Sequence, residues 1–187
     1  MANLQEVLDN IRPAFEYQIG FVESFLQFKG LDMGCGNCPL LTSENITHFD
    51  ISPQPLAVQQ IGKKRFVQRN CTNLDNYDSG LVDFVFSSHM VEDLGTKEDI
   101  VDCLVSWSMH LREEGYLVLI LPDMQGGRYW TVEEGGNPSH RINVGVPFIR
   151  EIEDELFERA GLLLIQIDTI PHDKSCSFDV VFKRVEI

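Results

Sequence analysis

Leu4, Val7, Leu8 and Ile11 recur at the three-to-four-residue spacing of a helix face, and the rhythm resumes after Pro13 at Phe15, Ile19, Val22 and Leu26. Proline interrupts a helix interior, so this stretch predicts a kinked helix or two short ones, with residues 1–28 as a helical cover. The pattern then shortens. Leu31-Asp-Met-Gly reads as a strand ending in glycine, and Ile46-Thr-His-Phe-Asp-Ile as a second strand. Ser52 offers a capping hydroxyl and Pro53 a first-turn proline for a helix running through Leu56 to Ile61. Arg65-Phe-Val-Gln is a third strand, and Val82-Asp-Phe-Val-Phe-Ser a fourth, β-branched and aromatic as buried strands are. Thr96 and Asp99 resemble a capping pair that opens a helix through Ile100, Leu104, Val105 and Leu111, stopped by Gly115. Tyr116 to Leu121 is an almost wholly apolar fifth strand, ended by Pro122. Phe148 to Ala160 is an amphipathic helix closed by Gly161, and Leu162–Ile167 and Ser177–Val185 are the last two strands.

Strands alternate with helices until that final pair, whose connection of about nine residues is too short for a helical crossover. The expected architecture is α/β: a Rossmann-like, doubly wound, mostly parallel seven-stranded sheet with an antiparallel C-terminal hairpin and helices on both faces. No repeat or linker divides the chain, so residues 1–187 read as a single domain. Sheets of this kind bind ligands at the carboxyl ends of their strands, near the point where strand order reverses.

Composition narrows the partners. With 29 Asp and Glu against 15 Lys and Arg, the 187-residue chain carries a formal net charge of −14. Such a field repels phosphate backbones, which argues against duplex nucleic acid. Lys63, Lys64, Arg65 and Arg69 form the one basic cluster and read as a solvated approach to a strand. No run nears the roughly 18 apolar residues that a membrane span needs. Glu6, Asp9 and Arg12 break any signal-peptide pattern. Five cysteines, Cys35, Cys38, Cys71, Cys103 and Cys176, make an odd count that suits free thiols in a reducing cytoplasm. Only Cys35 and Cys38 lie close together, without the second ligand pair of a structural zinc site, so no metal is expected.

The chemistry concentrates after the first strand. Gly34 and Gly36 in Asp32-Met-Gly-Cys-Gly-Asn let backbone approach a ligand closely, and the second strand ends in Asp50, 14 residues after Gly36. A carboxylate there can accept both hydroxyls of a ribose, so the pair points to a nucleoside-containing ligand. Leu31-Asp-Met-Gly-Cys-Gly-Asn resembles the first motif of class I S-adenosylmethionine-dependent methyltransferases, and His48-Phe-Asp-Ile-Ser-Pro their acidic second motif. Val67-Gln-Arg-Asn-Cys-Thr-Asn-Leu is similar to the segment that packs on adenine in that family. Val82 to Leu94 and Leu111 to Asp123 are similar to its fourth-strand motif and its next helix–turn–strand.

The resemblance implies S-adenosyl-L-methionine as cofactor, held by Asp32, Gly34, Cys35, Gly36, Asp50, Ile51, Asn70, Cys71 and Ser87. Within it, Asp32 meets the amino group, Asp50 the ribose, and Asn70 with the backbone at Cys71 the adenine, whose face Ile51 covers. Two positions depart from the family pattern. Cys38 stands where a third small residue, most often glycine, is usual, and Asn70 where an aspartate is common. The amide oxygen of Asn70 still accepts a hydrogen bond, without charge. A dinucleotide would ask for a full G-x-G-x-x-G to seat its pyrophosphate, and the final glycine is missing here, which disfavours a nicotinamide oxidoreductase. Cys35-Gly-Asn-Cys38 imitates the C-x-x-C of thiol oxidoreductases, but the seven-strand pattern exceeds that smaller fold.

The expected reaction is in-line displacement onto a small-molecule acceptor, which needs alignment more than an acid, base or metal. A protein that binds the cofactor without catalysis, as sensor or partner subunit, is the alternative. His89 follows the fourth strand on the acceptor side and is the candidate general base. Glu92 and Asp93 read as ordinary acids of a first helical turn. Residues 123–147 form a long connection with five glycines, Gly126, Gly127, Gly135, Gly136 and Gly145. A loop of that length is usually functional, and its Arg128, Tyr129, Trp130, His140 and Arg141 suit an anionic or aromatic acceptor.

Overall fold

The computed structural model describes residues 17–74, 76–78, 80–123, 137–169 and 177–187. Its seven strands are β1 (Gly30–Met33), β2 (Ile46–Asp50), β3 (Phe66–Gln68), β4 (Val82–Ser88), β5 (Leu111–Pro122), β6 (Leu162–Thr169) and β7 (Ser177–Arg184). They hydrogen-bond in the order β3-β2-β1-β4-β5-β7-β6. The first five run parallel, while β7 inserts antiparallel between β5 and β6. This is the expected mixed sheet with its antiparallel C-terminal pair. The helices are α1 (Pro55–Ile61), α2 (Lys97–Ser108) and α3 (Val146–Ala160).

Alternation along the strands splits the core between two faces. Leu31, Met33, Phe49, Val85, Leu117 and Leu119 pack with Trp107 of α2 and Ile152 of α3 on one side. Ile46, Phe84, Phe86, Val118 and Ile120 pack with Val22 on the other, under the helical segment 17–22. At Gly30 a Cβ would lie 2.1 Å from the Phe84 ring, so β1 and β4 close only over a glycine.

Three boundaries differ from the sequence expectation. The helix expected from Ser52 starts at Pro55 with Gln54 as N-cap and no side-chain cap, while the Ser52 amide donates to the Asp50 carboxylate at 2.9 Å. Thr96 does cap α2, accepting from the Asp99 amide at 3.1 Å, but the helix ends at Ser108 rather than reaching Gly115. Leu111 already pairs with Val82, and Gly115 sits in a bulge of β5 beside Glu114 at φ 64°. There a Cβ would lie 2.9 Å from the Asp83 carbonyl, so strand closure decides that glycine. The last helix starts at Val146 with Pro147 in its first turn, and Gly161, at φ 62°, closes it as expected. Of the N-terminal cover, 17–22 is helical and Glu23–Phe25 forms a 3₁₀ turn; residues 1–16 lie outside the described part.

Asp179 is the acid that β7 buries completely. Its Oδ2 accepts from Gln166 Nε2 at 2.8 Å, whereas Oδ1 has no hydrogen-bond partner among the described residues. Burial pushes this carboxyl up to about 6; the Gln166 bond opposes the rise and Asp168 adds to it. A carboxyl raised in the fold contributes stability while protonated and loses it as pH rises through about 6. Asp179→Asn keeps an acceptor for Gln166 without the charge. Urea unfolding should find it more stable than the wild type by about 2 kcal/mol at neutral pH, with the gap closing near pH 4. A gap that ignores pH would contradict this account.

Candidate cofactor and acceptor site

Parallel register gathers the site. Met33 is the partner of both Phe49 and Ser87, so Gly34, Asp50 and His89 follow on one edge of the sheet. The chain winds outward in opposite directions from β1 and β4, which makes that edge the switch point.

The loop after β1 is stitched to the end of β2. The Gly34 and Cys35 amides donate to the Phe49 carbonyl at 2.9 and 3.0 Å. The Gly36 amide donates to Asp50 Oδ2 at 3.0 Å, while the Ser52 amide takes Oδ1. Each oxygen of Asp50 thus holds one backbone donor and keeps acceptor capacity for another. Gly34 and Gly36 have φ of 73° and 59°, where side chains are strained. Ile51, next to this carboxylate, is 66% exposed and offers an apolar face at the edge.

The other expected cofactor residues divide. Asp32 is buried and accepts from His48 Nδ1 at 2.8 Å, a partner that the sequence reading did not identify. Asn70 is exposed, and its Oδ1 accepts from the Thr72 amide at 3.0 Å. Cys71 is buried, with its carbonyl fixed by Trp107 Nε1 at 2.6 Å. The Ser87 hydroxyl donates to the Met33 carbonyl at 2.9 Å and so braces β4 against β1. Burial pushes the Cys35 thiol up, with Asp32 and Asp50 adding to the effect, and burial likewise raises Cys38. A thiolate is therefore disfavoured at both, against a redox C-x-x-C. Among the described residues no three His, Cys, Asp or Glu side chains could hold a metal ion. A cleft of about 630 Å³ opens beside Asn70, Thr72, Asp93 and Arg159, and none of Gly34, Asp50 or Ile51 lines it.

On the acceptor side His89 sits at φ 51°, with its amide donating to the Ile120 carbonyl at 2.9 Å. Non-glycine residues in this region are rare, and functional sites hold more than their share. Its Nε2 is 3.0 Å from Ser177 Oγ, and its Nδ1 is 3.4 Å from Glu92 Oε1. Glu92 corrects the sequence reading. It lies in the 3₁₀ turn Val91–Asp93, is 0% exposed, and also meets His140 Nε2 at 3.5 Å. Its carbonyl accepts from the Arg141 and Ile142 amides, which docks the end of the long connection onto the turn after β4. The sequence signal was its flanking by Met90, Val91 and Leu94. His140 is buried against Glu92, whereas Arg141 is exposed; Arg128, Tyr129 and Trp130 lie outside the described residues.

A glycine loop bonded to a strand-end carboxylate at a switch point marks an α/β domain of the Rossmann-like class, a fold that places its ligands at that edge. Residues 31–119 match the family described as "Methyltransferase domain". No curated protein matches the sequence. An S-adenosylmethionine-dependent methyltransferase from Archaeoglobus fulgidus superposes with a TM-score of 0.73 at 16% identity, over 97% of this chain and 100% of its own. Magnesium protoporphyrin IX methyltransferase from Synechocystis, with S-adenosylhomocysteine bound, gives 0.69 at 16% identity over 98% and 89%. The N-methyltransferase NodS from Bradyrhizobium japonicum, also with S-adenosylhomocysteine, gives 0.61 at 13% identity over 92% and 86%. That family match spans just under half of the chain, and the solved structures share its fold over nearly all of it.

The two loop glycines should respond differently to alanine. A Cβ at Gly34 would meet Met90 Cγ at 2.5 Å, whereas at Gly36 nothing lies within 4 Å. Positive φ alone costs an alanine about 1–2 kcal/mol. Gly34→Ala should therefore lose more stability in urea than Gly36→Ala. Equal losses would mean that the Met90 contact is not part of the loop's packing.

Proposed function

We propose that this protein is an S-adenosylmethionine-dependent methyltransferase acting on a small-molecule acceptor at the carboxyl edge of β1, β2 and β4. The observation that carries the cofactor half is the Asp50 carboxylate, held by the Gly36 and Ser52 amides beside exposed Ile51. Its free acceptor capacity takes the ribose hydroxyls, and Ile51 covers a face of the adenine. Backbone at Gly34, Cys35 and Gly36 lies along the cofactor, Asp32 serves the amino group, and Asn70 with the Cys71 backbone borders the base. When bound, S-adenosylmethionine supplies a methyl group on a sulfonium, ready for in-line displacement.

His89 takes a proton from the acceptor, with its ring held between Ser177 and Glu92. Residues 123–147 form the acceptor side, with Arg128, Tyr129, Trp130 and Arg141 offered to an anionic or aromatic group. Residues 1–187 act as one domain, covered by 1–28. Support for a small acceptor comes from the net charge of −14 and from the magnesium protoporphyrin IX methyltransferase among the fold neighbours. The free Cys35, Cys38, Cys71 and Cys103 support a cytoplasmic setting.

Hydrogen bonds to a charged group contribute about 1.5–3 kcal/mol, so Asp50→Ala should bind S-adenosylhomocysteine roughly tenfold more weakly or worse in calorimetry. Unchanged affinity in the folded variant would remove Asp50 from the ribose. For the acceptor, the assay is S-adenosylhomocysteine release with panels of phenols, amines and carboxylic acids beside protein and RNA. Turnover with a low-mass acceptor is expected, and His89→Ala should lower kcat by about a hundredfold at neutral pH while leaving cofactor affinity intact. Turnover confined to a macromolecule would overturn the small-molecule reading.

A further inference from the structure

Asp32 and His48 are register partners on β1 and β2, in the parallel part of the sheet. They are 2% and 0% exposed. On the other side of Asp32 stands Phe86 of β4, and Ile46 and Phe84 share the apolar face. A carboxylate only accepts, so at 2.8 Å the hydrogen belongs to His48 Nδ1 and is donated to Asp32 Oδ2. The second ring nitrogen, Nε2, is buried with no hydrogen-bond partner among the described residues. Leaving such a group unsatisfied is unfavourable, and an aliphatic side chain would fill this strand position without that penalty. Packing alone therefore gives no reason for an imidazole here. Among the described residues its one polar contact is with Asp32.

We propose that His48 is a positioning residue of the cofactor site, donating Nδ1–H to Asp32 so that this carboxylate stays aimed and available to the cofactor's amino group. The proposal rests on the assignment of Asp32 to that amino group. Burial is the largest influence on Asp32 and pushes its carboxyl up; the His48 hydrogen bond and charge oppose this, and Asp50 adds to the rise. The thiols of Cys35 and Cys71 are the other titratable groups in its field. Neither β3 (Phe66-Val67-Gln68) nor α1 (Pro55–Ile61) brings a titratable side chain.

The consequence is a linked proton. A protonated Asp32 gives up its charge attraction for an ammonium, so binding weakens as pH falls through the Asp32 carboxyl's titration. Binding the ammonium there draws the proton off Asp32 into solvent. Removing the His48 donor leaves burial and Asp50 less opposed, so the weakening must begin at higher pH.

The test is calorimetric binding of S-adenosylhomocysteine from about pH 5 to about pH 9, with the wild type, His48→Leu, His48→Gln and Asp32→Asn. In His48→Leu the loss of affinity should set in about one pH unit or more above the wild type, making binding around the titration roughly tenfold weaker. His48→Gln does not titrate but keeps an N–H donor, and it should follow the wild-type curve. NMR titration of ¹³C-labelled aspartate should place the Asp32 carboxyl higher in His48→Leu with no ligand present, a shift that a purely packing role would not produce. A His48→Leu curve and carboxyl titration coincident with the wild type would overturn the proposal, as would His48→Gln shifted as far as His48→Leu. Asp32→Asn isolates the underlying assignment: it should bind weakly with a flat profile. Wild-type affinity and pH dependence in Asp32→Asn would remove Asp32 from the amino group, whatever His48 does.

Discussion

The Asp50 carboxylate, taken from two directions by backbone amides, is the contact on which the edge of this sheet depends. Gly36 reaches it only because φ at 34 and 36 is positive, which turns the loop after β1 back over the end of β2. The Gly34 and Cys35 amides fasten the same loop to the Phe49 carbonyl, and the Ser52 amide holds the second oxygen. Amide bonds to an ionised acceptor are roughly twice as strong as neutral ones, so this charge organises a loop that little else would order. Every role assigned to the cofactor edge presupposes that the loop lies where Asp50 holds it.

The rest of the design is an apolar sheet that tolerates polar groups toward one end. Phe49, Phe84, Phe86 and Trp107 fill the two faces, while Asp32, His48, Glu92 and Asp179 are buried among them. Each of these three carboxylates meets a small donor set: His48 for Asp32, Gln166 for Asp179, and the imidazoles of His89 and His140 near Glu92. A core selected for stability alone would replace such groups with hydrophobes. Apart from Asp179, they lie where parallel register brings the ends of β1, β2 and β4 together, which is the pattern of a site that accepts a cost in stability. Glu92 couples two parts of that site, since its side chain meets His89 and its carbonyl receives the amides of Arg141 and Ile142.

Strand set, topology and the Asp50 edge were legible because they rest on local signals. Val82 to Ser88 is a run of β-branched and aromatic residues, the short gap before β7 forces an antiparallel pair, and glycine followed 14 residues later by a strand-end acid is a spacing rule. What failed depended on tertiary competition. α2 stops at Ser108 because Leu111 finds Val82, although its helical spacing ran on. Glu92 and His48 look like a solvated acid and a strand residue until neighbouring elements bury them. Burial is a property of the assembled fold and leaves only a faint trace in the residues on either side.

The most direct measurement is a crystal structure of the complex with S-adenosylhomocysteine. The account places both ribose hydroxyls within about 3.2 Å of the Asp50 carboxylate, with the Gly36 amide still bonded to it and Ile51 against the adenine. A ribose bound elsewhere, with Asp50 facing only its two backbone donors, would contradict it.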